Sequence, residues 1–254
     1  MSQLIIDVYG ISDAGLVKDV NEDSFVYKVA DANGNTAGLF AVADGVGGLD
    51  EGDRASQTCI RRINRWWESE LTRYSNGEGS IDVSGLKEAI MDSNDRILRS
   101  SDDRGQRSGT TLTMLATLNN SAVIAHVGDS RCYRLRKGLI WRFNRMTEDH
   151  SCERTRIVDG VPTVKTLLTD CIGFKQDFRL DISEVDINEG DIMLLCSDGI
   201  YKTQGDPIIE ARIRHSRKDR DMRSVCEDLV EGAKRNKETD NISVIALSVS
   251  SYNG

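Results

Sequence analysis

Five stretches of this 254-residue chain share one local setting: an apolar run next to a carboxylate that sits beside glycine or another turn former. Phe40-Ala41-Val42-Ala43 runs into Asp44-Gly45, Ile124-Ala125-His126-Val127 into Gly128-Asp129, and Met193-Leu194-Leu195-Cys196 into Ser197-Asp198-Gly199. Asn21-Glu22-Asp23 stands immediately before the run that opens at Ser24, and Asp240-Asn241 before Ile242-Ser243-Val244-Ile245. Carboxylates at strand ends can converge on one rim of a sheet. Mg²⁺ and Mn²⁺ take such oxygen ligands and complete their shells with water. A flanking glycine lets backbone approach an ion and expose a carbonyl to it. Asp23, Asp44, Gly45, Asp198 and Asp240 are therefore a candidate metal rim. Taken singly, each is also ordinary turn chemistry, since Asp-Gly is a common turn dipeptide. The recurrence is what points to a site.

Other chemistries find little support. None of the three histidines lies in a His-Glu-x-x-His pattern, and there is no Gly-x-Ser-x-Gly elbow or Gly-x-x-x-x-Gly-Lys-Ser/Thr loop. The balance of 33 basic and 41 acidic side chains, net −8, leaves no electrostatic footprint for nucleic acid or an anionic membrane. No apolar run reaches the roughly 18 residues of a membrane helix, and Met1 to Asp7 lacks the basic start and apolar stretch of a signal peptide. The six cysteines form no Cys-x-x-Cys pair and read as reduced, mostly buried thiols. The expectation is a cytoplasmic protein.

Several elements must position the acids. Strands are expected at Leu4–Tyr9, Ser24–Ala30 and Gly38–Ala43, rich in β-branched and aromatic residues, and at Thr110–Leu118, Ala122–Val127, Arg131–Arg136, Ile140–Phe143, Ile192–Cys196 and Ile242–Ser248. Asn119-Asn120-Ser121 and Lys137-Gly138 read as turns. Apolar spacing of three or four predicts helices over Arg54–Tyr74, Val83–Ser100, with Ser84 as N-cap, and Arg220–Lys237. The order is α+β, with mainly antiparallel sheets covered by helices, and the late helix between strands argues for one domain over residues 1–254.

The pieces Asn21-Glu22-Asp23-Ser24-Phe25, Val42-Ala43-Asp44-Gly45-Val46-Gly47-Gly48, Ser108-Gly109-Thr110-Thr111, Val127-Gly128-Asp129-Ser130-Arg131, Met146-Thr147-Glu148-Asp149-His150-Ser151, Leu194-Leu195-Cys196-Ser197-Asp198-Gly199 and Asp240-Asn241-Ile242-Ser243 come in a telling order. In that order they resemble the type 2C metal-dependent serine/threonine protein phosphatases, and more closely their bacterial branch. The resemblance implies two packed antiparallel β-sheets flanked by helix pairs, an α-β-β-α sandwich, with metals in a cleft at one end. It implies that Asp44 bridges two Mn²⁺ or Mg²⁺ ions, with the Gly45 carbonyl beside it, and that Asp198 and Asp240 complete one of them. Glu22 and Asp23 join the same shell, Glu22 largely through water, and Asp129 with Asp198 holds a third, weaker ion. Hydroxide generated between two cations then attacks a phosphoserine or phosphothreonine phosphorus directly, without a phosphoenzyme. The implied partners are phosphorylated proteins, opposite a serine/threonine kinase, for a monomeric enzyme.

Two departures from the family pattern matter. The arginine that clamps substrate phosphate in the family is Lys18 here, which keeps the charge and loses the bidentate fork. The histidine that follows Asp-Gly in many eukaryotic members is Val46. His150 and His126 read as structural, and His215 as a surface residue. Cys152 to Lys165, where the family carries a mobile flap, reads as a solvated polar loop in which Arg154 and Arg156 could meet substrate. Besides an active phosphatase with Asp44, Asp198 and Lys18 as its catalytic residues, two readings stay open. One is a regulatory or binding module, for which Lys18 is the only argument. The other is a small-molecule phosphatase.

Overall fold

The structure is a computed structural model that describes residues 3–47, 51–158, 161–216 and 221–251. Gly48 of the Asp44 motif and Arg220 of the last helical pattern lie outside them. Strands β2 (Ser24–Ala32), β3 (Asn35–Ala43), β6 (Leu112–Leu118), β7 (Ser121–Val127) and β12 (Asp181–Asp186) make one antiparallel sheet in the order β12-β7-β6-β3-β2. Strands β1 (Leu4–Asp13), β8 (Arg131–Lys137), β9 (Trp141–Arg145), β13 (Ile192–Cys196) and β14 (Ile242–Ser251) make a second, in the order β1-β14-β13-β8-β9.

The central strands are apolar on both faces, and their period of two sorts side chains into two different cores. Leu39, Ala41, Leu112 and Met114 face helices α1 (Gly52–Ser75) and α2 (Val83–Arg104), meeting Ile63, Trp67 and Ile90. Their neighbours Phe40, Val42 and Leu115 point the other way and meet Met193, Leu195 and Ile245 of the second sheet. The opposite face of that sheet, through Leu194, Cys196 and Val244, packs on α3 (Asp198–Gln204), α4 (Asp206–Ser216) and α5 (Met222–Arg235). The result is four layers, α-β-β-α. Each fully buried Leu or Ile contributes roughly 2 kcal/mol of transfer free energy.

Three sequence expectations are corrected. The run Thr110–Leu118 is not one strand: β5 (Ser108–Thr110) pairs with β4 (Gly45–Gly47), and β6 starts after Thr111. The N-cap of α2 is Asp82 rather than Ser84: its carboxylate accepts from Gly85 N at 3.0 Å, and its own N–H donates to the buried Glu70 at 2.8 Å. Cys152–Lys165 is not a loop but most of a hairpin, β10 (Ser151–Val158) with β11 (Val161–Leu168), which forms a two-stranded sheet of its own. Helices α3 and α4 and strand β12 were not expected at all. All six cysteines are unpaired, and Cys152 alone is not buried. No helix among the described residues is long and apolar enough to cross a membrane.

Candidate active site

A cleft of about 870 Å³ opens at one end of the sandwich. Glu22, Asp44, Gly45, Asp129, Asp198, Asp240 and Lys18 line it. Asp23, 7% exposed, lies just behind.

Asp44 sits between β3 and β4, on backbone that the Thr110-Thr111 pair grips. Its N–H donates to Thr111 Oγ1 at 2.9 Å, and its carbonyl accepts from Thr111 N at 2.8 Å and Thr110 Oγ1 at 3.0 Å. This grip explains the break between β5 and β6. Gly45 follows because nothing larger fits: a Cβ there would lie 2.6 Å from the Glu22 carbonyl and collide with Gly52.

Asn241 organises the second part of the rim. Its Oδ1 accepts from Glu22 N at 2.9 Å, and its Nδ2 donates to the carbonyls of Ala14 and Val20 at 3.0 and 3.1 Å. One side chain at the start of β14 thus fixes the whole β1–β2 loop that carries Lys18, Glu22 and Asp23. Ser197 ties in the third part: its hydroxyl donates to Asp23 Oδ2 at 2.8 Å and accepts from Ser243 N at 2.9 Å. Asp198 then opens α3. Its Oδ2 pairs with Lys202 one turn on. Asp129 follows Gly128, which takes a φ of +106° that glycine tolerates without strain. Tyr201 Oη donates to the Asp129 carbonyl at 2.9 Å, so α3 is fastened to that turn.

These acids feel each other. Burial, then the charges of Asp23, Asp198, Asp129 and Asp240, push the Asp44 carboxyl well above the usual carboxylate range. Burial and the Asp198 and Asp240 charges push Asp23 up to about 7 against its serine hydrogen bonds, and burial with Asp198 pushes Asp129 up to about 6. Asp23 Oδ1 and Asp198 Oδ1 are buried and make no hydrogen bond among the described residues. Oxygen-only donors, mutual repulsion and orphaned carboxylate oxygens fit a hard divalent cation. Among the described residues no three such side chains are already drawn up as a tight shell.

Lys18 lines the cleft, with Nζ 3.4 Å from Asp240 Oδ1 and 3.5 Å from Glu22 Oε2. Burial alone would lower its pKa, but those two carboxylates hold it above the ordinary lysine value. Sequence reading missed Lys202, Arg107 and Lys175, which line the same cleft. An i+4 lysine after an acid on a short helix was the only signal for Lys202. Arg154 reaches the cleft from β10, with Cys152 and Leu167 on the same face of the hairpin.

The histidines support the floor from behind. His126 Nε2 donates to the Glu148 carbonyl and Nδ1 shares a hydrogen bond with Thr113 Oγ1, both at 2.9 Å, and burial pushes its pKa down to about 4. His150 Nδ1 accepts from Gly128 N at 3.3 Å while Nε2 donates to Asp181 at 3.1 Å. Neither lines the cleft, and His215 is exposed. Arg131 and Asp149, from two of the matched pieces, form a bidentate pair at 3.0 and 2.6 Å.

Residues 9–166 match the family model described as Protein phosphatase 2C, and residues 156–250 the one described as Stage II sporulation protein E (SpoIIE). The chain is 28% identical to the serine/threonine protein phosphatase PstP of Mycobacterium tuberculosis over 98% of its length but spans only 46% of that protein, about half. It is 26% identical to the protein phosphatase PhpP of Streptococcus pneumoniae, over 94% of this chain and 96% of that one. The crystal structure of the PstP catalytic domain in complex with two manganese ions superposes with a TM-score of 0.73 at 24% identity, covering 98% of this chain and all of that one. That likeness speaks to the fold.

Proposed function

The chain belongs to the protein phosphatase 2C family, and we propose that it is a metal-dependent phosphatase that hydrolyses phosphoserine and phosphothreonine monoesters in proteins, acting as one catalytic domain over residues 1–254. The observation that carries this reading is the mutually repelling set of half-buried Asp44 with buried Asp23, Asp129 and Asp198 at a cleft that Lys18 lines. The family is metal-dependent. Asp44, the Gly45 carbonyl, Asp198, Asp240, Asp23 and, through water, Glu22 would hold two ions, Mn²⁺ or Mg²⁺. When bound, such a pair supplies activated water and offsets the charge of the phosphoryl oxygens.

The chain's own groups do the rest. Lys18 offers its ammonium to a phosphoryl oxygen as a point charge, without the two-point grip of arginine. Thr111, Asn241 and Ser197 keep the carboxylates from relaxing away from one another. Substrate is a phosphorylated protein, in the cytoplasm, opposite a serine/threonine kinase. The names of the relatives, a serine/threonine protein phosphatase and a protein phosphatase, favour this over a small-molecule substrate.

The test is hydrolysis of a phosphoserine peptide with Mn²⁺, with Mg²⁺ and with excess chelator. Turnover with either ion that ceases on chelation and returns on adding Mn²⁺ is the expected result; full turnover in chelator sinks the reading. Lys18→Ala should raise KM about tenfold, about 1.4 kcal/mol of lost charge-assisted contact, and Lys18→Arg should restore it. An unchanged kcat/KM in Lys18→Ala assigns the phosphate to another group.

A further inference from the structure

The corner between Asp129 and Asp198 already contains a cation that belongs to the protein. Lys202 lies four residues after Asp198, one turn along α3, and its ammonium pairs with Asp198 Oδ2. Both acids and the lysine line the same cleft. The helix cannot drift from that corner. Tyr201, the residue next to Lys202, donates its hydroxyl to the Asp129 carbonyl at 2.9 Å, and the Arg131 guanidinium stacks 3.5 Å over the Tyr201 ring.

We infer that Lys202 is the resident cation of the Asp129–Asp198 corner, so that the cleft takes two divalent ions and the lysine stands where a third would otherwise bind. This rests on the two-ion reading above. The geometry divides Asp198 between two tasks. Oδ2 meets Lys202, while Oδ1 is buried with no hydrogen-bond partner among the described residues and is the oxygen left for an ion. Burial alone would lower the Lys202 pKa, but the charges of Asp198, Asp129 and Asp44 hold it above the ordinary lysine value.

The competition favours the lysine on simple grounds. An ion held by two carboxylates draws its remaining ligands from water and binds weakly. The ammonium is tethered to the same helix as Asp198, so its effective concentration at the corner far exceeds that of a free ion. An ammonium also has three donors, so after Asp198 two remain for Asp129, water or a phosphoryl oxygen.

The experiment counts Mn²⁺ per chain by electron paramagnetic resonance of the unbound ion, titrated through the millimolar range, on wild type, Lys202→Ala and Lys202→Arg. The expected counts are two for wild type, three for Lys202→Ala and two for Lys202→Arg. Lys202→Gln, which keeps most of the stem, repeats the measurement if Lys202→Ala fails to melt cooperatively. Three ions in the wild type, or no gain on removing the lysine charge, overturns the inference while leaving the two-ion reading intact. Fewer than two in the wild type overturns the two-ion reading and this inference with it.

Discussion

The floor of the cleft and the β10–β11 hairpin beside it address the same space and are built in opposite ways. Each acid on the floor hangs from backbone that a different element holds: Asp44 by Thr111, Glu22 by Asn241, Asp129 by Tyr201. Among the described residues the strands of the hairpin pair only with each other, in their own two-stranded sheet, and Ile157 and Val164 on it are 76% and 58% exposed. Four or five like charges gathered in one place would relax apart unless the fold over-determined them. A surface that meets varied peptide sequences has no such repulsion to contain, and local stability there can be low. The floor should therefore respond to substitution through metal binding and turnover, and the hairpin through KM alone.

The sharpest way to break this contrast is Asp198→Asn, which keeps the shape and removes the charge. If Asp198 is a metal ligand, losing its charge should lower kcat by roughly a thousandfold, about 4 kcal/mol. Near-normal turnover of a phosphopeptide at saturating Mn²⁺ would show that the floor does not hold the reactive ions.

The bracing behind the floor should appear in acid. His126 is folded neutral, with a pKa of about 4 against an ordinary 6.5. Below pH 6.5 the unfolded chain takes up a proton that the folded chain refuses. Stability therefore falls as pH drops from 6.5 through 4, by about 3 kcal/mol in all. Urea titrations of wild type and His126→Gln at several pH values should differ in slope within that window and run parallel above it. Parallel curves throughout would mean that the ring is not held neutral.

Asn241 acts on the floor only through the backbone it holds, and its effect should be smaller. Asn241→Ala leaves Glu22 N and two loop carbonyls without their partner. Loss of such an orienting partner typically weakens metal affinity by about 10- to 100-fold. Calorimetric titration with Mn²⁺ measures this directly, and excess Mn²⁺ should rescue most of kcat. Affinity unchanged within error would mean that the β1–β2 loop holds its acids without help.

What could be read from the residues follows the same division. The inner strands were legible because both faces are buried, giving unbroken apolar runs such as Gly38–Ala43 and Ile192–Cys196. The rim acids were legible because glycine or a turn former stands beside each. Strand β12, Asp181-Ile182-Ser183-Glu184-Val185-Asp186, was not, because an edge strand can be half charged. Helices α3 and α4 are too short to show periodicity, although Pro207 near the start of α4 is a usual helix-opening signal. The hairpin was hidden by its polarity, yet Asp159-Gly160 between Val158 and Val161 is a hairpin dipeptide by sequence. Lys202 was invisible for a different reason. Its meaning depends on Asp129, more than seventy residues away, and only the fold brings the two to one cleft.

The smallest expected effect separates the two faces of the hairpin. Register places Arg154 opposite Lys165, and Thr155 opposite Val164. Alternation therefore sends Arg154 to the face with Cys152 and Leu167, which line the cleft, and sends Ile157 and Val164 to the other. Arg154 is exposed and close to where the flanks of a phosphopeptide would run, so Arg154→Ala should raise KM for an acidic phosphopeptide about threefold, near 0.7 kcal/mol, the scale of a solvent-screened charge contact. An aryl phosphate has no flanking residues, so its KM should not change. Ile157→Ser removes exposed apolar surface on the far face, and both its melting temperature and its kinetics should match wild type, since surface changes away from special features fall within about 0.5 kcal/mol. If Ile157→Ser instead raises KM for a folded phosphoprotein but not for a peptide, the far face touches substrate as well. The contrast between floor and hairpin would then become one between a site that holds ions and a two-sided arm that holds proteins.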